Sequence, residues 1–112
     1  MDPRLEALLR RLALNDEATV ELLVHIDVSE FPGTGLDPRT HALVRLASLI
    51  ALQSSPMSFE WGVTAALAAG ATDEQIVGVL VAVAPVVGVA RLNRASVDIA
   101  TAVGYDLDLP EQ

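Results

Sequence analysis

The sequence predicts an all-α fold, a bundle of six short helices forming one domain over residues 1–112, and three observations carry that expectation. Helix-start signals recur at Asp2-Pro3, Asp37-Pro38, Ser55-Pro56 and Thr72 to Gln75, each a capping residue followed by proline or by a capping-box partner. Apolar residues between these signals recur every three or four positions, and no stretch alternates as a strand does. The connections are a few residues long, as expected between neighbouring helices of a bundle.

Asp2 and Pro3 read as N-cap and first position of a helix whose face is Leu5, Leu8, Leu9 and Leu12, with Arg4 and Arg11 outside it. Asn15, Asp16 and Glu17 place negative charge at the positive end of a second helix, expected to run through Val20, Leu23 and Val24 to Asp27. Ser29 to Leu36, with Pro32, Gly33 and Gly35, reads as a loop. A third helix follows Asp37-Pro38 to about Gln53, and a fourth follows Ser55-Pro56 and closes at Gly70 in a left-handed cap. Thr72, Asp73, Glu74 and Gln75 open a fifth, which Pro85 and Gly88 should end or kink. The sixth spans about Val89 to Val103 and is closed by Gly104. The acidic tail Tyr105 to Gln112 should drape or fray.

Composition narrows the function classes. Acidic residues outnumber basic ones 15 to 7, a net charge of −8. This balance opposes affinity for nucleic acid, which rests on Lys and Arg neutralising phosphates, and for anionic membranes. There is no cysteine, so neither a disulfide framework nor a thiolate metal site is available. Met1 to Arg4 lacks the layout of a signal peptide, and the run Ile76 to Ala90 is too short and interrupted for a membrane span. A cytoplasmic protein is expected. More than half of the residues are apolar, mostly Ala, Val and Leu, which points to apolar surface hidden between subunits.

Four stretches carry a family resemblance. They are Leu36 to Thr40 followed by Leu43 to Ala47; Ala65 to Ile76; Val79 to Pro85 with Gly88; and Ala90 to Ala95 with Asn93. In order and spacing they resemble the carboxymuconolactone decarboxylase and AhpD-type family over a core of residues 36–103, about two-thirds of the chain. The resemblance implies an all-α AhpD-like bundle assembled as a homo-oligomer, a trimer or a hexamer. It also implies an enzyme that needs no cofactor.

The family's chemistry does not carry over residue by residue. The AhpD-type Cys-x-x-Cys-x-x-x-His falls on Ser55, Ser58 and Gly62, so a thiol peroxidase cycle is excluded. The decarboxylase branch resembles a Glu at Ser58 and His residues at Gly62 and Ala82, none of which is present. Two readings stay open. One is a cofactor-independent lyase or isomerase acting on a small, rather apolar carboxylate or a lactone-like substrate. The other is a non-catalytic homo-oligomeric binding or scaffold protein with a degenerate site.

For the first reading the candidate catalytic residues are His41, Arg45 and Glu60. His41 and Arg45 are one turn apart, with Ser48 a turn further, and Arg45 could hold a carboxylate while His41 moves a proton near neutral pH. The alternative is a plain exposed face with Asp37 pairing to His41. Glu60 stands two residues from the family's Glu position, hence about 200° around the helix from it, and serves either another pocket or the solvent.

Candidate substrate-binding residues are Ser58, Trp61, Gly62 and Asn93. Ser58, Gly62, Ala65 and Ala69 form one small-residue face, either a widened pocket or a close helix contact. Trp61 beside it could wall a pocket or plug an interface. Arg91 and Arg94 flank Asn93, and Arg94 and Asp98 are spaced as an i, i+4 pair. Ser55 reads as an N-cap rather than a nucleophile. No metal site is expected, since His25 and Asp27 lie on different helix faces, and Gly33-Thr34-Gly35 lacks the context of a phosphate loop.

Overall fold

A computed structural model describes residues 1–26 and 35–107. All regular structure among them is helical: α1 (Pro3–Ala13), α2 (Glu17–Val24), α3 (Pro38–Ala51), α4 (Pro56–Ala68), α5 (Asp73–Val87) and α6 (Val89–Ala102). The chain divides into two compact units, Met1–Thr34 with α1 and α2, and Gly35–Gln112 with α3 to α6. The expected loop from Ser29 and the end of the acidic tail lie largely outside the described residues, as does Asp27.

The helix starts are set by side chains that satisfy the first free N–H groups. The Asp2 carboxylate accepts from the Arg4 N–H, Asp16 from Thr19, Asp37 from Thr40 and Ser55 from Ser58. Thr72 and Gln75 form the reciprocal capping box, at 3.0 and 3.1 Å. Hydrogen bonds from Thr19 hold the Asp16 carboxyl below its ordinary pKa, and that from the Thr40 N–H does the same for Asp37.

The helix ends repeat one device. α1, α3, α4 and α6 each close with a 5→2 and a 6→1 backbone hydrogen bond around a left-handed residue: Asn15, Gln53, Gly70 and Gly104 respectively. Two ends differ from expectation. α3 stops at Ala51 because Gln53 takes φ 53°. α2 stops at Val24, with His25 as its cap. Pro85 does not end α5; the helix passes through it, leaving the carbonyl of the exposed Val81 without its usual N–H donor. Gly88, at φ 84°, ends α5 and starts α6 at the same residue.

In the second unit, α3 packs on α4 and α5, and α4 packs on α6. The core is Ala42, Leu46 and Ile50 of α3, Phe59, Val63 and Ala66 of α4, Ala71 and Ile76 around the start of α5, and Ala95 and Ile99 of α6. Among the described residues no polar or charged side chain is buried. In the first unit no residue of α1 or α2 is buried.

Gln53 in the left-handed region carries strain that glycine lacks. Gly70, at φ 94°, has open space where a methyl group would stand and depends on its backbone freedom alone. Gln53→Gly is expected to raise stability by about 0.5 kcal/mol and Gly70→Ala to lower it by about 1 kcal/mol. Urea unfolding monitored by circular dichroism checks both signs.

Candidate functional site

The α3 stripe forms as its spacing requires. His41 and Arg45 are both partly buried on one side of the helix, beside the buried Ala42 and Leu46. The Asp37 carboxylate is engaged by the Thr40 N–H at 2.7 Å, and the His41 N–H donates to the Asp37 carbonyl at 2.9 Å. The Ser48 hydroxyl donates back to the Val44 carbonyl at 3.0 Å. Burial lowers the His41 pKa below its ordinary value, and the Arg45 charge lowers it further. The imidazole is therefore neutral at neutral pH, suited to accepting a proton rather than supplying one.

The small-residue face of α4 is packed against α3 at Gly62. A Cβ built there would stand 2.9 Å from Leu49 Cδ1 and 3.3 Å from Leu46 Cδ1. The position where the family resemblance puts a histidine is thus approached by the movable tips of two leucines. Ser58 is partly buried; its N–H donates to Ser55 Oγ at 3.2 Å, and the two hydroxyl oxygens are 3.0 Å apart. Ser55 acts as the expected cap. Ala82, the other position of the missing family histidines, is exposed on α5.

A cleft of about 600 Å³ opens between the start of α4 and the end of α6, lined by Ser55, Pro56, Met57, Glu60, Asp98, Thr101 and Ala102. Glu60 reaches it because it lies about 200° around α4 from Gly62. The other polar groups are Asp98, partly buried on α6, and Thr101, whose hydroxyl donates to the Val97 carbonyl at 3.2 Å. Among the described residues, two carboxylates and no cation line this cleft, an arrangement that repels an organic anion and accepts a neutral or cationic molecule.

The structure brings together His41 with Arg45, Ser55 with Ser58, and Glu60 with Asp98. It does not bring Glu60 to the His41–Arg45 pair: neither α3 residue lines the cleft. Trp61, 67% exposed, and the exposed Asn93 are also absent from its lining. Arg91 and Arg94 are exposed, and among the described residues Arg94 does not pair with Asp98, whereas Arg4 pairs with Asp2 and His25 with Glu21. Among the described residues no three potential ligands cluster to hold a metal ion. Sequence reasoning passed over Met57, Asp98, Thr101 and Ala102 as cleft residues. A signal was available, since Asp98 is the lone acid between Glu74 and Asp106.

Comparison with known families matches residues 10–102 to the carboxymuconolactone decarboxylase family. The match extends the resemblance back from residue 36 through α2 and into α1. Curated proteins and solved structures gave no match. The chain belongs to the carboxymuconolactone decarboxylase family.

Two outcomes follow from this geometry. Gly62→His should destabilise the fold by about 1 kcal/mol, because the new side chain meets the movable tips of Leu46 and Leu49, and Leu49→Ala should suppress part of that loss in the double mutant, a coupling measurable by a chemical-denaturation cycle. Arg45→Ala should raise the His41 pKa toward the ordinary value of the imidazole, read by NMR titration. Because the folded-state pKa is depressed, His41 costs stability as pH falls from about 6.5 through its lowered value; Arg45→Ala should narrow that window of loss.

Proposed function

We propose that this family member is a homo-oligomeric, non-catalytic binding protein that takes a small neutral ligand, lactone-like in polarity, in the cleft between α4 and α6. The observation that carries the reading is the packing at Gly62: where catalysis in this family needs a proton-transferring group, this chain has a helix contact closed by Leu46 and Leu49. Neither leucine can move a proton, and Ser58 is engaged with its own helix cap.

The cleft suits such a ligand. Its volume falls in the range of small-molecule sites, about 300–1,000 Å³. Met57, Pro56 and Ala102 supply apolar surface, and Glu60 and Asp98 disfavour a carboxylate. No helix among the described residues is long and apolar enough to cross a membrane. That observation, the net charge of −8 and the lack of cysteine all suit a cytoplasmic setting.

A second reading is favoured by one observation, the placement of His41 and Arg45 one turn apart on α3, both partly buried. There the protein is a cofactor-independent lyase or isomerase, with Arg45 holding a substrate carboxylate and His41 accepting a proton. Glu60 takes part only from another subunit, because in one chain it faces a different side of α4.

Thermal-shift measurements with paired neutral lactones and their free acids separate these readings. Bound at about 100 times its dissociation constant, a ligand stabilises the fold by about 2.7 kcal/mol. Stabilisation by the lactone that survives Arg45→Ala and is lost in Ala102→Trp supports the binding protein. Stabilisation by the acid, lost with turnover in Arg45→Ala, establishes the enzyme instead.

A further inference from the structure

The outer face of α5 is apolar and exposed. From Gln75 to Ala90 the chain carries no charge. Val77, Val81 and Pro85 form an exposed ridge on α5, and Gly78 and Ala82 form a shallow groove beside it. Val81 is 70% exposed, and Val89, just past the helix end, 83%. A contiguous apolar face of this kind marks an interaction site rather than scattered exposure.

The two ends of this face are oppositely charged. Asp73 and Glu74 stand at the start of α5, and Arg91 lies in the first turn of α6 just beyond its end; all three are exposed, and none makes an ion pair among the described residues. A second copy laid parallel would set Asp73 and Glu74 against their own counterparts. Laid antiparallel about Val81, it sets the acidic end of each α5 toward Arg91 of the other, with Val81 against Val81 and Val77 of each opposite Pro85 of the other. Two chains of net charge −8 repel elsewhere, so the charge-free face is where they meet at least electrostatic cost.

We infer that α5 pairs antiparallel with α5 of a second copy of this chain, with Val81 at the twofold axis and Glu74 and Arg91 exchanged across it. The inference rests on the homo-oligomer proposed above and gives it a surface. A twofold contact is isologous, so the assembly contains an even number of chains.

Sedimentation equilibrium on the full chain tests this, with circular dichroism melts confirming that each variant is folded. Wild type is expected to be even-numbered. Val81→Glu, which places two carboxylates at the axis, should raise the dissociation constant of the pair at least tenfold. Arg91→Glu should weaken it, and Glu74→Arg with Arg91→Glu should recover it. Val81→Cys supplies a check that does not depend on a disruptive variant: as the chain's sole cysteine it should cross-link to itself on oxidation, whereas Val97→Cys on α6 should not. An oligomer of unchanged mass in Val81→Glu, or no cross-link through Val81→Cys in an oligomeric sample, overturns the α5 contact and leaves the oligomer standing. A monomeric wild type overturns both.

Discussion

The close approach of α3 to α4 at Gly62 governs much of what the second unit can be. Because Gly62 has no side chain, the tips of Leu46 and Leu49 come to 3.3 and 2.9 Å from where a Cβ would stand, and α4 lies on the helix that supplies the centre of the core. Phe59, Val63 and Ala66 are then carried into the interior by helical spacing alone. The same rotation fixes what α4 shows on its other side. With the Gly62 flank against α3, Glu60 is turned toward α6, and the cleft with Asp98 follows from that orientation. Packing and the layout of polar groups are therefore one constraint, set by a residue that makes no polar contact.

Much of the fold was legible because its signals are local. An Asp or Ser followed by proline identifies its own helix start, since the capping hydrogen bond spans only two or three residues. The Thr72–Gln75 box is the clearest case. Ends were harder to read. Gly70 and Gly104 announce left-handed caps, but Gln53 adopts the same conformation without the residue type that usually signals it, so α3 reads two residues too long. Of Pro85 and Gly88, expected together to end or kink α5, Gly88 is the one that ends it, and Pro85 stays inside the helix. It breaks a helix only if the lost hydrogen bond cannot be borne, and near the exposed end of α5 water can serve the orphaned carbonyl of Val81.

The candidate site was less legible because it depends on pairs of distant segments. Ser58, Gly62, Ala65 and Ala69 announce a small-residue face, yet whether such a face is a pocket or a contact depends on Leu49, which belongs to another helix. Glu60 and Asp98 share a cleft through the packing of α4 on α6, and nothing in their sequence spacing shows it. His41 and Arg45 were readable as neighbours because they occupy one helix. Their electrostatic coupling, expressed in the lowered His41 pKa, is a local effect of the same kind as a cap.

The exchange of polar groups for packing has an energetic logic. A catalytic histidine and glutamate on a half-buried helix face would each have to be desolvated and partnered, a cost borne by the fold for the sake of the reaction. Here those positions are Ser58, which satisfies its own helix start, and Gly62, which admits leucine, and no buried polar group remains among the described residues. The candidate groups stand apart: Arg45 and His41 on α3, Glu60 and Asp98 in the cleft. General acid–base chemistry on a carboxylate needs an anion holder and a proton carrier around one reacting atom. In the single chain the cation and the acids are held on different helix faces, so the cleft is left with shape, apolar surface and negative potential. Those are the properties on which the binding role proposed for the cleft depends.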